Sequence, residues 1–198
     1  QDLNHALRFL GFPEDEISLE ELEPVTDKKP TAAELIRGIA ARFKQYGCPL
    51  ETGFDAYTTS QVMAGSGLSS SAAFEVLLGN ICNALYAENR FTPVELAQMG
   101  QYAENVYFQK PCGLMDQMAS SVGGAVAIDF ANPMLPAVHP VAFDFSRTGY
   151  VLCIVDTGGN HADLTAEYAA IPAEMQEVAK YFGKDVLAEV PPAQVLRS

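Results

Sequence analysis

Basic residues are scarce in this chain: 12 Lys and Arg stand against 25 Asp and Glu, a formal net charge of −13. Phosphate backbones and anionic membrane surfaces attract basic proteins, so this balance argues against both as partners. Histidine occurs three times, and neither His5 nor His139 has a companion at metal-ligand spacing. The four cysteines, Cys48, Cys82, Cys112 and Cys153, are too widely spread for a metal knuckle. They read as small buried hydrophobes or free thiols of a reducing compartment. No run approaches eighteen apolar residues and no signal peptide precedes the first element, so the expectation is a soluble, cytoplasmic protein.

What is present is an ordinary globular composition, 48% hydrophobic and 19% charged, in a chain long enough for one large domain, or one domain and part of another. The start at Gln1 and the stop after Pro191-Pro192 and Ser198 look cut, and the expectation is a fragment of a longer protein.

Leu3, Leu7 and Leu10 form a short helical pattern, followed by an acidic stretch from Glu14 to Asp27 that reads as a solvated connection. Thr31-Ala32-Ala33-Glu34 reads as a capping box opening a helix to about Tyr46, with Ile36, Ile39, Ala40 and Phe43 inward. Strand-forming residues at 54–59 lead into a Gly/Ser-rich loop. A helix over 69–86 follows, with Ala73, Val76, Leu77, Ile81, Ala84 and Leu85 on its apolar face. Thr92-Pro93-Val94-Glu95 starts another that reaches about Tyr107, with Pro93 at its first position. A break at 110–113 precedes a short helix over 114–121, which Gly123-Gly124 ends. Strands are expected at 125–130, 138–145 and 151–155, then a turn at 157–160 and a helix over 163–182. This mixture predicts an α+β layout rather than a regular βαβ alternation.

Two segments carry chemistry. In Gly65-Ser66-Gly67-Leu68-Ser69-Ser70-Ser71-Ala72-Ala73, glycines let backbone close around an anion, and hydroxyls fall on the first turn of the next helix. A helix N-terminus adds unpaired N–H groups and a positive dipole end, an arrangement suited to nucleotide phosphates. The alternative is a turn whose serines only cap the helix. In Lys110-Pro111-Cys112-Gly113-Leu114-Met115-Asp116-Gln117, Gly113 allows a tight loop and Asp116 falls in the first turn of a helix. Glu104, twelve residues before Asp116, ends the helix that runs into this loop. If the two carboxylates converge, one could hold Mg2+ while the other orients or deprotonates a hydroxyl. Alone, Asp116 would read as a dipole-complementing residue and Glu104 as an exposed helix residue.

The first segment resembles the phosphate loop of the GHMP small-molecule kinases. Ala103-Glu104-Asn105-Val106-Tyr107-Phe108 with Cys112-Gly113-Leu114-Met115-Asp116-Gln117 is similar to the galactokinases of that family, and residues 156–168 also look like bacterial members. The resemblance implies ATP-dependent phosphorylation of galactose at its C1 hydroxyl, with ATP and Mg2+ required. It implies that Gly65, Ser66, Gly67, Leu68, Ser69, Ser70 and Ser71 wrap the ATP phosphates, with Ser71 and Glu104 on the metal side. Asp116 would be the catalytic base, and Gly113, Asp116 and Tyr168 would contact the sugar. The implied fold is an N-terminal domain like ribosomal protein S5 domain 2, spanning 1–155, with the beginning of a ferredoxin-like C-terminal domain at 156–198.

The sequence departs from the family in having no Gly-Arg-Val-Asn-Leu-Ile-Gly-Glu-His-Thr-Asp-Tyr sugar motif, no third glycine-rich motif and no tryptophan. Ile171-Pro172-Ala173-Glu174 stands where paired arginines commonly follow the tyrosine. The expectation is therefore a central segment inactive by itself. Another GHMP substrate, a non-catalytic galactose- and ATP-binding regulator and a generic anion-binding module are the alternatives.

Overall fold

The computed structural model describes residues 5–11, 13–62, 67–132, 134–155 and 165–196. They form two compact units, one running to Val122 and the other starting at Gly123. The joint is Gly123-Gly124, both at left-handed φ (73° and 66°), which only glycine adopts without strain.

In the first unit, β1 (Ala6–Gly11) lies between β2 (Asp15–Ser18) and β3 (Phe54–Thr58). It pairs antiparallel with β2 and parallel with β3, Leu7 opposite Ile17 on one side and Phe54 on the other. Arg8 and Asp55 are register partners, and the guanidinium grips the carboxylate with two bonds of 2.6 and 2.8 Å. The helical pattern expected from Leu7 and Leu10 is overturned. Leu7 and Phe9 are both buried while Leu10 is exposed, the period-two pattern of a strand. The acidic stretch likewise contributes β2, whose Ile17 reaches the core.

Helix α1 (Ala32–Gln45) makes the crossover between the parallel strands and buries Ile36, Ile39, Ala40 and Phe43 as expected. The capping box expected at its start does not form. Thr31 accepts from the Ala33 N–H, but Glu34 turns to Arg37 rather than back to the cap. A full capping box does open α3 (Pro93–Tyr102), with Thr92 and Glu95 bonded reciprocally.

Helix α2 (Ser70–Tyr86) is rolled away from the expected face. It buries Ala72, Glu75, Val76, Leu78, Gly79, Cys82 and Asn83, leaving Ala73, Leu77, Ala84 and Leu85 exposed. The helix is apolar on most sides, so periodicity alone does not set its roll. Asn83 turns inward because its amide exchanges two hydrogen bonds with the backbone of Phe91.

Beyond α3 the chain makes one π-helical turn, Ala103–Tyr107, pinned where the Tyr107 hydroxyl donates to the Leu22 carbonyl at 2.7 Å. Helix α4 (Met115–Val122) completes the unit. The core joins Leu7, Phe9 and Ile17 of the sheet to Ile36, Ile39 and Phe43 of α1, Leu78 and Cys82 of α2, and Met99 of α3.

The second unit contains the antiparallel pair β4 (Ala125–Asp129) and β5 (Ala137–Val141), and helices α5 (Thr165–Tyr181) and α6 (Pro192–Val195). Residues 151–155 form no strand, contrary to expectation. They have strand-forming side chains but no ladder to join among the described residues, and Val151, Leu152 and Ile154 are exposed. The expected turn at 157–160 lies outside the described residues. No described helix is long and apolar enough to cross a membrane.

Candidate active site

Ser69 is the N-cap of α2 and sits at φ 56°, ψ 44°, a left-handed conformation unusual for a residue with a side chain. Its hydroxyl does not cap the helix. It donates instead to Asp116 Oδ2 at 2.7 Å, across to the first turn of α4. The reading in which the serines serve only as caps therefore fails at Ser69. The first amides of α2 have no acceptor within the helix, as at any helix N-terminus.

Two residues on, Ser71 donates to Glu104 Oε1 at 3.0 Å. Glu104 sits on the π-helical turn, an irregularity frequent at functional sites. The same Oε1 receives the Lys110 ammonium at 2.8 Å. Burial pulls the Lys110 pKa down, but the hydrogen bond and charge of Glu104 outweigh it and the net shift is upward. The two carboxylates singled out in the sequence thus converge on one helix turn, through serines two positions apart.

The loop between them is held by Asn105, whose Oδ1 accepts from the Cys112 N–H at 2.7 Å. Gln101 donates to the Cys112 carbonyl at 3.3 Å. Burial pushes the Cys112 thiol pKa up, with the charge of Glu104 adding to it, so this cysteine is a poor nucleophile.

Below Glu104 lies a residue that sequence reasoning missed. Glu75 is fully buried, and its Oε2 accepts from Gln117 Nε2 at 3.0 Å. Burial, reinforced by the charge of Glu104, raises its pKa from 4.5 to about 8. Gln117, noticed only as part of a motif, donates from the same nitrogen to Glu104 Oε2 at 2.9 Å. A signal for Glu75 was available: it is the one acidic residue in the apolar α2 and lies one turn from Ser71.

Of the remaining candidates, Gly65 and Ser66 lie outside the described residues. Gly67 is exposed at φ 77°, Leu68 is exposed and Ser70 opens α2 half-buried. Gly113 is exposed, and a Cβ there would meet no atom within 4 Å. Neither crowding nor a left-handed φ calls for glycine at that position, contrary to the tight loop expected from sequence. Tyr168 lies on α5 in the second unit, half exposed.

Residues 34–124 match the family model of the GHMP kinases N terminal domain. The galactokinase of Streptomyces coelicolor is 36% identical over 180 residues, covering 91% of this chain and 46% of that protein. The galactokinase of Actinobacillus pleuropneumoniae serotype 3 is 32% identical over 184 residues, covering 92% of this chain and 46% of its own length. The crystal structure of Lactococcus lactis galactokinase complexed with galactose superposes with a TM-score of 0.68 at 24% identity, over all of this chain and 52% of that one. The chain is thus homologous to the galactokinase-like GHMP kinases at moderate identity. Its α+β fold matches their N-terminal domain, and it spans about half the length of the curated relatives it matches.

Proposed function

We propose that this chain carries the nucleotide-binding core of an ATP-dependent galactose kinase. Two contacts support the reading: Ser69 to Asp116 and Ser71 to Glu104, both anchored on the first turn of α2. In this reading the Gly65–Ser71 backbone wraps the ATP phosphates. Ser71 and Glu104 form the cation side, and Asp116 takes the proton of the C1 hydroxyl. Gly113 approaches the sugar through its backbone, in keeping with the open space beside its Cα.

The donor set suits Mg2+. A carboxylate oxygen and a hydroxyl are hard ligands, and Glu104 Oε1 already attracts a cation in the form of the Lys110 ammonium. Among the described residues no group of three His, Cys, Asp or Glu could hold a metal unaided. Mg2+ characteristically binds through one or two carboxylates with substrate phosphates completing its shell. When bound, the ion would neutralise charge developing on the transferred phosphoryl group.

Asp116 is exposed, and the Ser69 hydroxyl occupies its Oδ2, leaving Oδ1 to accept a proton. A general base contributes about 10²- to 10⁴-fold, whereas positioning can supply roughly 7–11 kcal/mol. Lacking the sugar motif, the 198-residue chain should therefore bind nucleotide weakly and turn over no galactose. Calorimetric titration with MgATP and with sulfate, alongside an ADP-release assay with galactose, tests the reading. Preference for ATP without turnover supports it. Equal affinity for sulfate would reduce the loop to a generic anion site, and galactose-dependent ADP release would overturn the inactivity of the chain.

A further inference from the structure

Glu75, Gln117 and Glu104 are 0%, 1% and 2% exposed, and phosphoryl transfer as described uses only the last. One nitrogen, Gln117 Nε2, is shared between Glu75 Oε2 at 3.0 Å and Glu104 Oε2 at 2.9 Å. Helix α3 makes room for them at Gly100, where a Cβ would stand 3.1 Å from Glu75 Oε2 and 3.2 Å from Gln117 Cγ. Glycine inside a helix costs about 0.5–1 kcal/mol relative to alanine. Buried polar groups of this kind are commonly less stable than apolar residues of the same volume. Glu75 Oε1 and the amide oxygen of Gln117 even lack a hydrogen-bond partner. Stability therefore does not account for the cluster, but the orientation of Glu104 does.

We propose that Gln117, seated on Glu75, is a positioning residue that makes Glu104 a one-oxygen cation ligand. By occupying Oε2 it turns only Oε1 toward Ser71. A single carboxylate oxygen suits the compact octahedral shell of Mg2+. Ca2+ accepts both oxygens of a carboxylate and tolerates irregular geometry. Gln117 thereby sets the preference of the site for Mg2+ over Ca2+. This inference rests on the reading of Ser71 and Glu104 as the cation side of a nucleotide site.

The test measures the ATP Kd of the 198-residue chain in Mg2+, in Ca2+ and in EDTA, for wild type, Gln117→Leu and Gly100→Ala. Gln117→Leu should reduce the tightening produced by Mg2+ about tenfold, the scale on which partners of metal ligands act. It should narrow the Mg2+-over-Ca2+ preference and leave the EDTA value unchanged. Gly100→Ala removes no polar group and improves helix propensity, yet its methyl displaces both Glu75 and Gln117, so it should shift the same two ratios in the same direction. If Gln117→Leu does not fold by circular dichroism, Gly100→Ala decides the matter. Folded variants that keep both wild-type ratios would overturn the inference while leaving the nucleotide site intact. A wild-type chain whose ATP affinity is the same in Mg2+ and EDTA would overturn the cation-site reading, and this inference with it.

Discussion

The hydroxyl of Ser69 is bonded to Asp116 Oδ2 at 2.7 Å while its backbone sits at φ 56°. The residue that turns the chain into α2 is thus the one that orients the exposed carboxylate. A side chain in the left-handed region costs roughly 1–2 kcal/mol, and a hydrogen bond to a charged group returns about 1.5–3 kcal/mol. The two effects are of the same order.

That balance separates two substitutions. Ser69→Gly removes the strain together with the bond and should change unfolding free energy by less than about 1 kcal/mol. Ser69→Ala keeps the strain and loses the bond, so it should destabilise by about 1–2 kcal/mol. Urea denaturation of both variants measures the difference, and equal losses would mean that the left-handed backbone at Ser69 carries no strain.

In a protein competent for sugar phosphorylation through this site, Asp116→Ala should lower kcat by roughly 10²- to 10⁴-fold with little change in the KM for ATP. Gly113→Ala should leave the melting temperature unchanged, since no neighbour meets the added methyl. Steady-state kinetics would remove Asp116 from the base role if the effect fell on the KM for ATP instead.

Glu75 makes stability depend on pH. Its folded pKa of about 8 lies above the ordinary 4.5, so the folded state holds this proton more tightly than the unfolded chain. Its stabilising contribution is fully present below about pH 4.5, and it declines as pH rises until Glu75 ionises near pH 8. The neighbouring charges are Glu104 and Asp116, which favour the proton, and Lys110, which opposes it. Glu75→Gln should flatten this part of the stability–pH curve and make the protein more stable above pH 8. Denaturant midpoints from pH 5 to 9 would show it, and parallel curves for variant and wild type would contradict the assignment.

Lys110→Met strips a cation from a nearly fully buried carboxylate. Lys110 itself is almost half exposed, so solvent screens part of the attraction and the loss should be only about 1–2 kcal/mol. Glu104 would then need another cation, and Mg2+ should raise the melting temperature of the variant more than that of wild type. Thermal melts with and without Mg2+ compare the two directly. An identical Mg2+ response would show that the ion does not bind at Glu104.

The roll of α2 is open to an equally direct check. Leu77 is 44% exposed and Leu78 1%. Leu77→Glu should change stability by less than about 1 kcal/mol, whereas Leu78→Ala should cost about 2–5 kcal/mol. Reversed magnitudes in urea titrations would restore the face read from periodicity.

Local chemistry was enough to locate much of this chain from its residues alone. Thr92-Pro93-Val94-Glu95 caps α3 with groups three residues apart, and the inward face of α1 follows from Ile36, Ile39 and Phe43 on one stripe. The pairing of the Gly/Ser loop with Glu104 and Asp116 came from the family resemblance instead, since each carboxylate read alone is an ordinary helix residue. Leu7 and Leu10 could satisfy a helix or a strand, and the hydrogen bonds of β2 and β3 on either side of β1 chose the strand. Residues 151–155 show the converse, since side chains suited to a strand make none without a ladder. Helix α2 could present several apolar faces, and its roll came from Asn83 meeting the Phe91 backbone and Glu75 meeting Gln117. Those partners are 8 and 42 residues away in the chain. Buried polar groups need partners, and only the packed fold determines which distant residue supplies them.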